Sequence, residues 1–228
     1  MPDDQEISVP DRMINIAGKL FAARSFDAVS TREIATAASV NLSAISYHFG
    51  NKEGLYRAVF KKIVRDLKPA RVNLGLFLQN GMSEAGDDRR ELAEMMVRII
   101  SDLLDNALAP ENLSWRMRLI AREMAAPTEC FQILLNGHLK IMHDLSGMLI
   151  AKIMGEPASS ETVRLTAQAL LHLCSQYAIN EQLVKSRLEW ENFGPEEIGK
   201  IKKALIPLIL RALNLGEHVD IVLVPKWR

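Results

Sequence analysis

The sequence predicts an all-α protein, because apolar residues recur at helical spacing along most of its 228 residues. Hydrophobic residues make up 48% of the chain and aromatic residues only 6%, and ten residues are methionine, a balance that favours helices over sheets. No alternating strand pattern of useful length occurs before the tail, residues 217–228. The tail contains a few branched apolar residues that could form a short extended segment. This length allows one or two domains and a sizeable core.

The amino-terminal residues predict a disordered arm and then a first helix. Residues 1–9 are mainly polar and acidic, whereas apolar side chains fall on one helical face from about Pro10 to Ala23. A longer helix is predicted from Lys52, directly after Asn51, whose side chain can cap it. The apolar stripes are Met13, Ile14, Ala17, Leu20 and Phe21 in the first helix and Leu55, Val59, Ile63 and Leu67 in the longer one.

Residues 30–55 contain the most informative pattern of the chain, two short helices joined by a tight turn. Ser30 and Glu33 have the spacing of a capping box, in which the hydroxyl accepts from an amide and the carboxylate reaches back. Residues 39–41 then interrupt the helix, and the asparagine that ends them can cap a second helix over 42–48. A helix this short is stable only when it is docked on neighbours, as in a helix-turn-helix that reads DNA.

Five further helices are predicted in the rest of the chain, with glycine or proline at their boundaries. Residues 75–86 hold glycines among polar residues and predict a boundary region between helices. Pro207 lies inside the last helix and is expected to kink it. The predicted ranges are 88–107, 111–125, 128–153, 159–188 and 195–215.

The distribution of charge points to a nucleic-acid partner, although the formal net charge of the whole chain is zero. Residues 12–70 hold ten basic and four acidic side chains, a local net charge of +6. Residues 71–228 hold 18 basic and 20 acidic side chains. The basic excess is therefore confined to the segment with the helix-turn-helix pattern, as an electrostatic footprint for DNA requires.

The same segment resembles the TetR family of transcriptional regulators and keeps the family's spacing without a gap. A helix-turn-helix followed at once by an aromatic pair, Lys-Glu and a long helix is a specific combination. The stretch from Arg122 through His138 to His143 is also similar to the subgroup with a CecR-like carboxy-terminal domain. The residues that carry the family resemblance are Phe26, Ser30, Arg32, Glu33, Ile34, Ala35, Ala38, Val40, Asn41, Ile45, Tyr47, His48, Phe49, Lys52, Glu53, Gly54 and Leu55.

The resemblance implies a three-helix helix-turn-helix DNA-binding domain followed by a larger helical domain for ligand binding and dimerisation. We predict an arm over 1–9, the DNA-binding domain over 10–56, the second domain over 57–216 and a tail over 217–228. The expected function is that of a repressor that binds a palindromic operator as a homodimer and is released by a small-molecule effector. A constitutive DNA-binding regulator without a ligand is the alternative.

By the same resemblance, the short helix over 42–48 enters the major groove and its flanks hold phosphates. This helix lacks Arg, Asn and Gln for bidentate contacts to bases, so Arg32 is the best candidate for a contact to guanine. Helix amino ends suit phosphate, because free amides and the helix dipole attract anions. The predicted DNA-binding residues are Ser30, Thr31, Arg32, Leu42, Ser43, Ala44, Ser46, Tyr47, His48 and Lys52.

The chain departs from the family pattern at three serines. Ser39 and Ser25 occupy positions that are commonly glycine, and Ser46 replaces a residue that is usually aromatic. A left-handed Ser39 costs about 1–2 kcal/mol. The change at Ser46 puts in doubt any operator specificity carried over from relatives.

The second domain is expected to hold the dimer interface and the effector pocket. The helices over 159–188 and 195–215 carry more apolar surface than one buried side requires, and TetR relatives commonly dimerise through their last two helices. Polar and aromatic groups on otherwise apolar helices often mark a pocket, although core packing explains each residue alone equally well. The candidate pocket residues are Trp115, Arg118, Arg122, Met124, Phe131, His138, Met142, His143, His172 and Gln176.

Other functional classes have no support in the sequence. The sequence has no G-x-S-x-G nucleophile motif, no H-E-x-x-H zinc motif and no glycine-rich phosphate loop, so we expect neither an enzyme nor a metal or cofactor. Cys130 and Cys174 lie in apolar patterns and are expected to be buried free thiols. The acidic start is unlike a signal peptide and no apolar run reaches membrane-spanning length, which predicts a cytoplasmic protein without a membrane partner.

Overall fold

The computed structural model describes residues 8–109 and 115–222, and all regular secondary structure in these ranges is helical, which confirms the predicted all-α class. None of the helices in these ranges is both long enough and apolar enough to cross a lipid bilayer. The α-helices, numbered in chain order, are α1 Val9–Ala23, α2 Thr31–Ala37, α3 Leu42–Phe49, α4 Lys52–Asp66, α5 Lys68–Ala85, α6 Arg89–Leu108, α7 Arg116–Ala125, α8 Glu129–Leu134, α9 Lys140–Met154, α10 Glu161–Ile179, α11 Glu181–Leu188 and α12 Pro195–Ala212.

The chain divides into two compact units. The first unit ends at Leu67 and takes up a later segment that ends at His138. The second unit begins at Lys68 and resumes at Leu139. This partition differs from the predicted domain boundary after residue 56, because all of α4 and also α7 and α8 belong to the same compact unit as the helix-turn-helix.

The first unit is built on α1 and α4, which pack against each other and carry the buried apolar stripes that their sequences predict. Helix α2 packs on α1 and α3, α7 packs on α1, and α8 packs on α4. The fully buried side chains of this core include Met13, Phe21, Ile34, Ile45, Leu55, Phe60, Ile63, Leu119 and Leu134.

The second unit is organised around α6, which packs against α5, α9, α10 and α12. Helix α9 also packs along α10 and against α5. A helix with several partners needs apolar residues on more than one side, and α6 buries residues on most of its circumference. The buried core of this unit includes Leu78, Leu92, Met96, Ile100, Leu104, Leu108, Leu149, Ile150, Val163, Cys174, Leu205, Ile209 and Leu210.

The predicted arm is shorter than its range of 1–9. The Ser8 side chain accepts a hydrogen bond from the Asp11 backbone amide at 3.3 Å, so Ser8 caps α1 and Val9 is already helical. Residues 1–7 lie outside the described residues.

The predicted boundary region over 75–86 is wrong, because α5 continues through it to Ala85. Glycine weakens an isolated helix by about 1 kcal/mol, but tertiary packing overrides that preference here. Leu78 is fully buried in the middle of α5, and the helix ends only before Gly86, whose φ of 53° is left-handed.

Two of the long predicted helices are interrupted. The helix predicted over 128–153 contains a five-residue π-helix, Leu135–Leu139, between α8 and α9. The helix predicted over 159–188 breaks at Asn180 into α10 and α11. Local periodicity does not reveal either break, because the segments on both sides of each break are helical.

The ends of the remaining predicted segments also differ in detail. The helix predicted from 111 begins at Arg116, and residues 110–114 lie outside the described residues. The last helix ends at Ala212 and runs through Pro207. In the tail, the possible extended segment is instead 3₁₀-helical over Gly216–Val222 with a kink at His218, and 223–228 are outside the described ranges.

Candidate nucleic-acid interface

The turn between α2 and α3 is closed by backbone hydrogen bonds and one left-handed residue. The Val40 amide donates to the Ala35 carbonyl at 3.0 Å, and Ser39 has a φ of 53°. The side chain of Asn41 then accepts from the Ser43 amide at 3.0 Å and starts α3. The predicted cap is therefore present, and Ser39 adopts the left-handed conformation and carries its strain.

Helix α3 has one buried side and one exposed side. Ile45 is 1% exposed and anchors the helix on α2 and α4, while Phe49 is half-buried at its end. The Tyr47 ring is 84% exposed, the largest exposure among the exposed large apolar or aromatic side chains of the described chain. A large aromatic ring held in solvent on a docked helix suits contact with a partner. Leu42, Ser43, Ser46, Tyr47 and His48 are exposed, and Ala44 is half-buried.

The start of helix α2 carries three of the predicted DNA-binding residues, Ser30, Thr31 and Arg32. The Ser30 hydroxyl oxygen accepts from the Glu33 amide at 3.1 Å, so the hydroxyl proton stays free to donate. The Glu33 carboxylate pairs with Arg24, in place of the predicted return to the Ser30 amide. Arg32 is exposed, and Thr31 at the helix start is half-buried.

Helix α4 starts with a close backbone contact to the end of α3. A Cβ atom built on Gly54 would lie 1.9 Å from the Phe49 carbonyl oxygen, so only glycine fits there. The Asn51 side chain accepts from the Gly54 amide at 2.7 Å, as predicted for a cap. The Lys52 ammonium lies 4.2 Å from the centre of the Phe26 ring, a cation–π contact that holds the charge near the helix start.

Arg122 on helix α7, predicted from the sequence to line the ligand pocket, instead binds the end of α1 within the first unit. The Arg122 guanidinium donates to the Phe21 carbonyl at 2.5 Å and to the Arg24 carbonyl at 2.9 Å. Helix ends leave carbonyls without intrahelical partners, and a cation satisfies them and opposes the dipole. Arg122 thus caps α1 within the first unit.

A buried acid next to Arg122 ties α4 to the loop between α7 and α8. Glu123 is 0% exposed, and its carboxyl group accepts from the Tyr56 hydroxyl at 3.1 Å and from the Thr128 amide at 3.0 Å. Burial and the nearby carboxyl group raise the pKa of Tyr56 well above its usual range. Glu123 is not among the site residues predicted from the sequence, where the only signal for it is an acid on a predicted helix.

Two family models match the chain over most of its length. The model of the bacterial TetR regulatory proteins matches residues 14–59, within the first unit. The model described as the C-terminal domain of the HTH-type transcriptional dual regulator CecR matches residues 92–214, more than half of the chain. This protein is a TetR-family transcriptional regulator. Its carboxy-terminal part belongs to the CecR type, as the stretch around Arg122 to His143 indicated.

Curated relatives agree with this assignment. The HTH-type transcriptional dual regulator CecR of Shigella flexneri is 25% identical over 188 residues, which cover 81% of this chain and 84% of that protein. The probable HTH-type transcriptional regulator YttP of Bacillus subtilis is 44% identical over 50 residues, 22% of this chain and 24% of that protein.

Solved structures share the fold of this TetR-family regulator. A transcriptional regulator from Rhodococcus sp. Rha1 has a TM-score of 0.61 at 18% identity and covers 90% of this chain and 97% of its own. A putative TetR-family regulator from Mesorhizobium loti has a TM-score of 0.56 at 19% identity, with coverage of 92% and 98%. AibR, solved with isovaleryl coenzyme A and operator DNA, has a TM-score of 0.54 at 14% identity, with coverage of 88% and 97%.

The candidate pocket residues of this regulator fall in both compact units. Those at positions 115–138 belong to the first unit, where Trp115 is buried against Gly18. Those at 142–176 belong to the second, where Met142 is buried and His172 is exposed beside Gln168. The first group is Trp115, Arg118, Arg122, Met124, Phe131 and His138, and the second is Met142, His143, His172 and Gln176.

Proposed function

We propose that this TetR-family regulator is a repressor that binds a palindromic operator as a homodimer and is released by a small-molecule effector. The observation that carries the proposal is the exposed face of α3, which is centred on Tyr47 and lies in a tightly docked helix-turn-helix. Such a regulator has no catalytic role and acts in the cytoplasm, where bacterial DNA is found.

The DNA-binding part of the proposal assigns distinct tasks to the exposed groups. Tyr47, His48, Ser30 and Lys52 hold the phosphate backbone, and Arg32 reads a guanine edge. The small side chains of α3 make methyl and hydroxyl contacts that distinguish poorly between base pairs. Sequence-dependent DNA shape therefore supplies part of the specificity. The proposed contact set is Ser30, Thr31, Arg32, Leu42, Ser43, Ala44, Ser46, Tyr47, His48 and Lys52.

The proposed dimer interface lies on the last long helices. Leucine side chains remain exposed there, with Leu165 on α10 at 62% and Leu208 on α12 at 55%. Apolar side chains that a monomer leaves in water on two helices support a second copy as the partner that covers them. A two-fold dimer then presents two α3 helices to successive major grooves, about 34–36 Å apart.

The proposed effector response is supported by the neighbour AibR, a protein of the same fold that was solved with isovaleryl coenzyme A and operator DNA. A ligand shifts a regulator away from its operator only if it binds the two states unequally. We expect an effector of this protein to bind in its second unit and to lower operator affinity.

The test of DNA binding is the Tyr47→Ala variant, with Tyr47→Phe as the matched control. Loss of the exposed ring should abolish specific operator binding in a gel-shift titration, while the melting temperature and the dimer stay unchanged because the ring contributes little to the core. Tyr47→Phe should keep the ring contacts and lose only those of the hydroxyl. Operator binding by Tyr47→Ala equal to that of the wild type would show that the exposed Tyr47 side chain of α3 does not contact the operator.

The dimer and effector parts need separate measurements. Sedimentation equilibrium should give a dimer for the wild type, and Leu165→Glu combined with Leu208→Glu should give a folded monomer. For the effector, a compound that raises the melting temperature should also reduce operator affinity. A monomeric wild type, or a protein whose operator affinity no ligand changes, would favour a constitutive DNA-binding regulator.

A further inference from the structure

We propose that Phe26 is a positioning residue for DNA binding, because its ring holds the Lys52 ammonium group where that charge meets a phosphate of the duplex. This inference rests on the proposed function, which gives Lys52 a phosphate contact, and it adds a residue that does not touch the DNA itself. The observation that carries it is the distance of 4.2 Å between Lys52 Nζ and the centre of the Phe26 ring. A cation this close to an aromatic face is attracted by the ring.

The Phe26 ring is itself fixed by two aromatic neighbours in the core of the first unit. It stacks on Phe21, with ring centres 5.6 Å apart, and packs edge-on against Tyr56, with ring centres 5.0 Å apart. Both neighbours are buried, and the Tyr56 hydroxyl is held by the buried Glu123 carboxyl group. A ring between such neighbours has little rotamer freedom left, so it gives the lysine a rigid platform.

A rigid platform matters for lysine more than for most side chains. Lys52 is the first residue of α4, and its ammonium group is carried on a flexible four-carbon stem. A lysine that moves freely in solvent loses conformational entropy when it binds a phosphate. A lysine that is already held over a ring has lost much of that freedom on folding, so more of the phosphate attraction appears as affinity.

The ring also holds the lysine without neutralising its charge. Three other cations of the same helix, Arg57, Lys62 and Arg65, each form an ion pair with a carboxylate. Within the described ranges, no carboxylate forms an ion pair with Lys52. A carboxylate beside the lysine would cancel its charge and repel a phosphate, whereas an aromatic ring carries no net charge. A ring is therefore the partner that a phosphate-binding lysine needs.

The position of Phe26 in the chain links two of the proposed phosphate contacts. Phe26 lies in the loop that leads into α2, and its carbonyl accepts from the Val29 amide at 3.3 Å, directly before the cap Ser30. Its ring meanwhile contacts Lys52 at the start of α4. One residue thus connects the start of α2 to the start of α4 and fixes the Lys52 ammonium relative to Ser30.

The experiment is a double-mutant cycle between Phe26→Leu and Lys52→Met in the full-length protein. Binding is read by fluorescence anisotropy on a mixed-sequence DNA duplex of about 30 base pairs, because phosphate contacts do not depend on base sequence. Phe26→Leu should weaken binding about tenfold, since each of two subunits loses about threefold. Lys52→Met should weaken it further and lower the salt slope by about one unit for each lost contact. The double variant should bind no worse than Lys52→Met alone.

Two control variants and one spectroscopic signal separate positioning from general support of the fold. Phe26→Tyr keeps the ring face and should bind the duplex as the wild type does. Phe77→Leu makes the same substitution at another half-buried phenylalanine, on α5 of the second unit, and should also leave binding unchanged. In proton NMR spectra of the wild type, the ring should shift the ε-methylene signals of Lys52 upfield, and Phe26→Leu should abolish that shift.

Two results would overturn the positioning role. One is a Phe26→Leu effect that keeps its full size in the Lys52→Met background, because Phe26 would then act without the lysine. The other is a set of Lys52 ε-methylene signals at their ordinary position in the wild type, a measurement that needs no variant to fold. A wild type that binds no DNA would overturn the proposed function together with this inference. A wild type that binds DNA while the cycle shows no coupling would overturn the positioning role alone.

Discussion

The two compact units differ in how closely their helix glycines are packed and in how their buried polar groups are satisfied. In the first, Gly54 is required because a Cβ atom would lie 1.9 Å from a carbonyl oxygen, and the buried Glu123 is held by donors from Tyr56 and Thr128. In the second, a Cβ atom built on the buried Gly147 would lie 4.0 Å from the Val163 side chain, an ordinary contact, and His143 Nε2 and Ser146 Oγ are buried without hydrogen-bond partners among the described residues. The first unit is thus specified for one geometry, as a DNA-reading surface needs.

The largest effect is expected from a substitution that breaks the close backbone contact at Gly54 in the first unit. Gly54→Ala forces the α3–α4 connection apart and should lower the free energy of unfolding by about 3 kcal/mol or more. Gly147→Ala, the counterpart in the second unit, should instead raise it by about 0.5–1 kcal/mol through reduced chain entropy. Urea denaturation measures both, and Gly199→Ala, whose added methyl meets nothing within 4 Å, controls for helix propensity. Equal effects of the first two changes would contradict the contrast.

The next largest effect is expected from removing buried polar side chains, which can be compared between the two units. Glu123→Ala leaves the Tyr56 hydroxyl and the Thr128 amide without their acceptor and should cost about 3 kcal/mol of stability. Tyr56→Phe, which removes one donor, should cost about 1.5 kcal/mol. Ser146→Ala removes a buried hydroxyl that has no partner and should be neutral or stabilising. A Ser146→Ala cost as large as that of Glu123→Ala would mean that the second unit uses this hydroxyl structurally.

Alkaline pH should destabilise both units through their buried thiols. Cys130 and Cys174 are buried free thiols, as predicted, and burial raises the pKa of Cys130 to about 11 and that of Cys174 to about 12. Because the unfolded thiol ionises first, near pH 8.5, this stability is fully present below that pH and is lost as pH rises toward the folded pKa. Each thiol should contribute a slope of about 1.4 kcal/mol per pH unit.

The Cys174→Ala variant isolates the share of the second unit in this slope. Denaturation midpoints between pH 9 and 11 should fall less steeply in the variant, while the contribution of Cys130 and Tyr56 in the first unit remains. Identical slopes for the variant and the wild type would show that the Cys174 thiol ionises equally in the folded and unfolded chains.

The smallest expected effect concerns the strained turn of the first unit. Ser39→Gly relieves the cost of a left-handed serine and should raise stability by about 1 kcal/mol, partly offset by the greater freedom of glycine in the unfolded chain. Operator affinity should not change, since the turn keeps its conformation. Ser25→Gly is the control, because Ser25 is not among the residues with positive φ and should gain nothing. A destabilised Ser39→Gly variant would mean that the serine side chain compensates the strain.

Local sequence patterns predicted the structural features that depend on residues close together in the chain. The caps at Ser30, Asn41 and Asn51, the short α3 with its exposed Tyr47, and the apolar stripes of α1 and α4 all follow from spacing and side-chain chemistry. The same signals failed for α5, because buried packing outweighs the weak helix propensity of glycine. They also failed for the π-helix, because the segments before and after it are both helical.

The sequence by itself determined the helical class, the helix-turn-helix and its basic surroundings, since caps, periodicity and charge are local properties of a chain. Only the tertiary structure decided which unit each later helix joins. It placed α7 and α8 with the helix-turn-helix, gave Arg122 the end of α1 to cap, and buried Glu123 against Tyr56. It also revealed the pair His143 and Ser146, because whether a buried polar atom finds a partner depends on side chains far away in sequence.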